Sequence, residues 1–305
     1  ELGVFVPRDQ AIPVLRTLLD AWKEDTRYRL SRVKARMKFM VDDYGPEGLR
    51  AEVERRLGHR LPDFALPPLH AEPAHHLGVT PQRQAGLVAI GLPVHVGLIS
   101  GAQLVAVAGL LDELGGDARV TRQQNLLLTG VPAERSDEIV RALRDLDLPL
   151  DGNRIRGLSI ACTGEPHCNF SVTETKTRLD ELIRHLEARF GDAVSELKLH
   201  LDGCPHACGQ HWVGDIGLQG TTARDPDGKR LPAYDILLRG GLGPGAAIAR
   251  PVFRRVPSDD LEEAVTALVA GWLDARADGE SFRSFCDRTD DDTLGRLAGR
   301  EPARR

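Results

Sequence analysis

Over the first sixty residues the apolar positions fall at helical intervals. Ile12, Leu15, Leu18, Leu19 and Trp22 share one face of residues 9–22, which predicts an amphipathic helix. A basic run follows, with Lys23, Arg27, Arg29, Arg32, Lys34, Arg36 and Lys38, and Gly45-Pro46 separates it from a second helix expected through about residue 57. Residues 60–81 are rich in Pro and His with little periodicity, so a linker or extended wrap is expected there.

From residue 86 the period begins to alternate. Val94, Val96 and Leu98 in period two predict a strand over 86–99, and Leu104, Val107, Leu111 and Leu114 predict a helix over 103–114. Residues 119–131 read as strand and 134–146 as helix, through Ile139, Val140, Leu143 and Leu146. The order is a β-α-β-α unit of a small α+β domain. Farther on, strands are expected at 157–161, at Leu197, Leu199 and Leu201, at 212–219 and at 233–238. A helix is expected over 173–190, and a last one through Leu261, Val265, Leu268, Val269 and Trp272. The whole reads as α+β: a basic helical segment (1–60), a linker (61–82), a small domain (83–150), a larger α+β domain (151–287) and a polar, frayed tail (288–305). No internal sequence repeat is visible.

Composition narrows the class. The 305 residues suffice for two or more small domains, and 41% hydrophobic with 28% charged residues is ordinary for a globular protein. A net charge of −5 gives no overall pull toward nucleic acid. No apolar stretch reaches the ~18–20 residues that span a bilayer, and no signal-peptide layout opens the chain, so no membrane association and a cytoplasmic location are expected. Residue 1 is Glu rather than Met, so a fragment or a processed piece is expected.

Chemistry concentrates in the cysteines. There are five, an odd number that does not suit a disulfide framework. Cys286 stands alone and reads as a buried structural thiol. The other four form two pairs, Cys162-x5-Cys168 and Cys204-x3-Cys208, each just after a predicted strand. Adjacent strand ends bring four thiolates to one point, which suits zinc or an iron–sulfur cluster. Zinc knuckles place their paired ligands two to four residues apart, and the first pair is wider than that. Spacing therefore favours a cluster while leaving zinc open. Gly164, Pro166, Gly203, Pro205 and Gly209 suit tight loops that aim N–H groups at sulfur, and the helix after Cys168 directs its positive end the same way. His167, His206 and His211 lie beside the cysteines and read as loop residues, because a mixed His/Cys centre leaves two thiols unused. The run Arg239-Gly-Gly-Leu-Gly-Pro-Gly245 lacks dinucleotide-loop spacing and reads as a tight turn.

These cysteine segments resemble the assimilatory nitrite/sulfite reductase family. Ala161-Cys-Thr-Gly-x-x-x-Cys168 followed by Glu174-Thr175-Lys176 is similar to its first cluster segment. Gly203-Cys-Pro-x-x-Cys-Gly209 with Asp215-Ile-Gly-Leu-x-Gly220 is similar to its second. Arg119-x-Thr121-x-x-Gln124-Asn125-Leu126 resembles the ferredoxin-like half-domain, and Arg29-x-x-Arg32-x-x-Ala35-Arg36-x-Lys38-Phe39 resembles the connector between the family's two pseudo-repeats. The resemblance implies a ferredoxin-like half-domain followed by a larger sirohaem and 4Fe-4S domain, with Cys162, Cys168, Cys204 and Cys208 as cluster ligands. It implies that Cys208 bridges to the sirohaem iron, that Gln124 lies beside the macrocycle, and that Arg36 and Lys38 meet its carboxylates. Arg29, Arg32 and Arg36 are expected on one helix face. The implied reaction is six-electron reduction of nitrite to ammonia or of sulfite to sulfide, with ferredoxin as donor.

Two departures stand out. The chain resembles only the end of the family's first repeat, the connector and the second repeat. The residues that hold the substrate anion belong to the first repeat, so the chain is expected to be incomplete alone and no catalytic residue is assigned. His206 replaces a frequent Asn between the last two cysteines. Rival readings are a precorrin-3B synthase-like relative and a non-catalytic four-cysteine metal module.

Overall fold

The computed structural model describes residues 2–31, 35–65, 75–150, 152 and 154–303. It forms two units, Glu1–Leu69 and His70–Arg305. Among the described residues no helix is long and apolar enough to cross a membrane.

In the first unit α1 (Ala11–Glu24) packs on α2 (Met37–Leu57). The seam on α1 is Val14, Leu18 and Ala21, meeting Met40, Leu49 and Val53. Ile12, Leu15 and Leu19 are 64%, 55% and 54% exposed, so half of the face expected from the sequence points outward. The period was legible, but a helix with apolar residues on both sides of its seam does not reveal which side is covered. Gly45, at φ 66°, breaks the helical path of α2, and Pro46 restarts it as expected. Of the predicted Arg29–Arg32–Arg36 face, the two described residues, Arg29 and Arg36, both lie outside α-helix. Arg29 closes a single 3₁₀ turn over Thr26–Tyr28, Arg32 and Lys34 lie outside the described residues, and Arg36 is extended where it precedes α2.

The second unit begins with a four-stranded antiparallel sheet of order β1-β2-β4-β3. Its elements are β1 (Gly78–Pro81), β2 (Leu87–Leu92), α3 (Gly101–Leu114), β3 (Asp117–Val120), β4 (Leu126–Pro132) and α4 (Ser136–Asp145). Ile90, Leu92 and Leu128 face Val107, Leu111, Ile139 and Leu143 in one core. β1 lies within the stretch expected to be linker; it is short and mostly exposed, so it carries no burial pattern to read. The strand expected over 119–131 is a hairpin, turned at residues 121–125 without Gly or Pro. There Asn125 N–H donates to Thr121 Oγ1, and Gln124 adopts φ 64°. The strand expected to reach Leu98 ends at Leu92, because Val96 turns at φ 47°.

The larger domain is built on a five-stranded mixed sheet, β5-β6-β7-β8-β9. A one-turn helix, α5 (Ile155–Leu158), leads into β5 (Ile160–Ala161); then come α6 (Lys176–Phe190), β6 (Leu199–Asp202), β7 (Ile216–Arg224), β8 (Arg230–Leu238) and β9 (Arg250–Pro257). β5, β6 and β7 are parallel and the rest antiparallel. α6 and α7 (Leu261–Ala275) cover the sheet with Leu179, Leu182, Ile183, Leu186, Val265, Leu268 and Val269. The polar tail is not frayed. After α8 (Phe282–Arg288), Asp290 caps α9 (Asp291–Ala298), whose Leu294 and Ala298 join the main core. Asp291 also pairs with Arg239 and Arg250 at 2.8 and 2.7 Å. Leu294, Leu297 and Ala298 among charges are too sparse to announce a buried helix, yet they fall on one face.

Candidate cluster site

Both cysteine segments leave the same edge of the larger sheet. β5 and β6 are parallel neighbours, with Ala161 opposite Leu201, so the loops after them emerge side by side. Their backbones are stitched together: Cys162 N–H donates to the Leu201 carbonyl at 2.9 Å, and Val172 N–H to the Gly203 carbonyl at 2.9 Å. Gly203 N–H points at the Cys162 sulfur at 3.2 Å. Two side chains fasten the strand end that carries Cys162. Thr175 Oγ1 donates to the Cys162 carbonyl at 2.7 Å, and Gln124 Nε2 donates to the Ala161 carbonyl at 2.8 Å.

All four thiols are free; Cys162 and Cys204 are buried, Cys168 is half-buried and Cys208 is exposed. Burial pushes the Cys162 thiol up, with the Asp202 charge adding to this and N–H groups of Gly203 and Gly164 opposing it. Cys208 is pushed up by desolvation first, then by Asp202 and by the neighbouring Cys204 and Cys168. The last three cysteines therefore lie within electrostatic reach of one another. Among the described residues no three His, Cys, Asp or Glu side chains are arranged to hold a single metal ion. The donor set fits an iron–sulfur cluster: four thiols from two loops on one sheet edge, with an N–H already directed at sulfur.

The histidines divide. His206 is exposed, with Nδ1 3.4 Å from the Cys204 sulfur and its ring edge-on to Phe170. His167 is exposed, and His211 is fully buried, turned away from the cysteines onto Asp202. Gln124 faces the strand that carries Cys162; its Oε1 is buried without a partner among the described residues. Arg36 and Lys38 are exposed in the first unit, where Lys38 Nζ lies 5.0 Å from the Phe39 ring centre. Sequence reasoning assigned no role to three residues that shape the site, although two of them, Asn125 and Thr175, stand in the motifs it singled out. Asn125 accepts from Val94 N–H and donates to the Gly157 carbonyl, tying the half-domain to the helical turn α5 that leads into β5. Thr175 and Asp202 are the others; Asp202 stands immediately before Gly203-Cys204.

The chain belongs to the nitrite and sulfite reductase family. The family's ferredoxin-like half domain matches residues 80–146, and its 4Fe-4S domain matches residues 1–61, ahead of the cysteines. The family carries sirohaem and a 4Fe-4S cluster. Among particular relatives, sulfite reductase (ferredoxin) 1 of Mycolicibacterium paratuberculosis is 35% identical over 300 residues, covering 96% of this chain and 54% of the relative. The chloroplastic ferredoxin–nitrite reductase of Zea mays is 36% identical over 276 residues, 88% of this chain and 48% of its own. The solved structure of the Mycobacterium tuberculosis NirA protein superposes with a TM-score of 0.87 at 30% identity, covering 96% of this chain and 55% of that one. The chain spans about half the length of the curated relatives it matches.

Proposed function

We propose that this chain is the cluster-bearing part of a sirohaem-dependent nitrite or sulfite reductase, with Cys162, Cys168, Cys204 and Cys208 as the cluster ligands. The observation that carries the proposal is the parallel pairing of β5 and β6, which starts both cysteine loops side by side with Gly203 N–H on the Cys162 sulfur. A cluster coupled to sirohaem supplies the electron storage that a six-electron reduction of nitrite to ammonia, or of sulfite to sulfide, requires. The chain's residues hold and insulate it. Cys162 and Cys204, both buried, would anchor the cluster, and Cys208, which is exposed, would be the ligand shared with the sirohaem.

Arg36 and Lys38 are the proposed partners of sirohaem carboxylates. Both are exposed and make no ion pair among the described residues, so both are available to an anion. Gln124 acts on the same site from behind, fixing the Ala161 carbonyl beside the first ligand. Ferredoxin is the proposed electron donor, as the names of the relatives suggest. The proposed domain limits are 83–150 for the half-domain, extended back by β1, and 151–287 for the cluster domain, extended by α9.

The test is turnover with a reduced donor, nitrite and sulfite, on the complete sirohaem-loaded enzyme that contains this chain and on its Cys208→Ser variant. Loss of reduction of both anions in the variant, with most of its iron retained, is the expected outcome. Full activity in Cys208→Ser contradicts the bridging assignment.

A further inference from the structure

Behind the second cysteine pair lies a charged group that the proposed electron path does not use. Asp202 ends β6 two residues before Cys204, and only 1% of it is exposed. Its Oδ1 accepts from Gly209 N–H at 2.5 Å. Its Oδ2 accepts from His211 N–H at 3.2 Å and from His211 Nδ1–H at 2.8 Å. All of these donors lie just after Cys208. The turn between is awkward for its residues: Ala207 and Gln210 hold φ of 57° and 61° on either side of Cys208-Gly209. Left-handed conformations at non-glycine residues persist only where surrounding contacts enforce them. The Asp202 carboxylate is one such contact here, beside the His200 Nδ1–H bond to the Gln210 carbonyl. Gly209 is also wedged in place, since a Cβ on it would lie 2.8 Å from the Leu201 carbonyl oxygen.

We infer that Asp202 is a positioning residue for the cluster, fixing the turn that carries Cys208 and holding a buried negative charge that keeps the cluster's reduction potential low. Adding an electron to a cluster costs more beside a fixed negative charge, and little water reaches this one to screen it. The charge sits against the second cysteine pair, because Asp202 stands two residues before Cys204 and accepts from the N–H of Gly209, next to Cys208. His211 offsets part of it through Nδ1–H, while its Nε2 is buried with no partner among the described residues. The pair thus sets both the shape of the Cys208 turn and the field at the cluster. This inference rests on the cluster assignment above.

The experiment compares the full chain with two variants after anaerobic reconstitution with iron and sulfide. The cluster's midpoint potential is measured by a redox titration followed by electron paramagnetic resonance. Asp202→Asn removes the charge and is expected to move the potential of the loaded fraction positive. His211→Phe keeps the ring volume and leaves Asp202 less neutralised, so its potential is expected to move negative. Asp235→Asn is the control: Asp235 is another buried carboxylate accepting a backbone N–H, from Arg255, and is expected to leave the potential unchanged. A purely structural role lowers cluster content without moving the potential of what loads. Unchanged potentials, or shifts of the same sign in both variants, overturn the inference. If Asp202→Asn does not fold, the sign in His211→Phe decides alone. A parent chain that takes up no iron and sulfide overturns the cluster assignment itself, a separate outcome.

Discussion

His200 shows how the cluster edge constrains single residues. It lies on β6 behind the cysteine loops, with Nδ1–H donating to the Gln210 carbonyl at 2.9 Å. Burial pushes its pKa from the ordinary 6.5 down to about 4. Between those values the unfolded chain takes up a proton that the folded chain refuses, so stability falls as pH drops from 6.5 toward 4. The loss reaches about 3 kcal/mol at the bottom of that window. Urea unfolding of the metal-free chain between pH 7 and 4.5 checks this: the parent should weaken more steeply than His200→Gln. Parallel slopes contradict the assignment. At this scale the cysteines were legible because four of one type at fixed offsets form a signature. Asp202, Thr175 and Asn125 were not. A single carboxylate, hydroxyl or amide has no spacing of its own, and the N–H and carbonyl groups it serves come near only once the strands pair.

Among the elements, the parallel strands decide the site, and glycines let the cysteine loops close over them. Gly217 on β7 is the sharpest case. A Cβ there would lie 2.0 Å from the His211 carbonyl oxygen, which is backbone and cannot swing away. Gly217→Ala is therefore expected to displace the segment after Cys208 and cut iron uptake severalfold. Gly109, on α3, has open space around it, and Gly109→Ala is expected to stabilise the protein by about 0.5–1 kcal/mol. Iron content and urea midpoints of the two variants separate these effects. Equal iron uptake by Gly217→Ala and the parent contradicts the account of this loop. The long helices were readable from their periods. What escaped was short or double-sided: β1 at an exposed edge, the 121–125 turn without Gly or Pro, β9 beyond the glycine-rich run, and α9 among charges. In each, the burial that defines the element comes from partners distant in sequence.

For the molecule as a whole, the α+β class and the half-domain were readable in advance, because alternating periods and the order of motifs agree with one another. The two-unit division at residue 69 falls inside the linker expected over 61–82, a stretch without periodicity. The central claim is that four cysteines from one sheet edge hold an iron–sulfur cluster. The most direct test is iron, acid-labile sulfide and zinc analysis of the chain after anaerobic reconstitution. It should be run beside a variant with Cys162, Cys168, Cys204 and Cys208 all replaced by Ser, and beside Cys286→Ala. The account predicts equal iron and sulfide in the parent and in Cys286→Ala, whose thiol is fully buried, and neither in the fourfold variant. Zinc in place of iron, or iron and sulfide that survive the fourfold replacement, would contradict it.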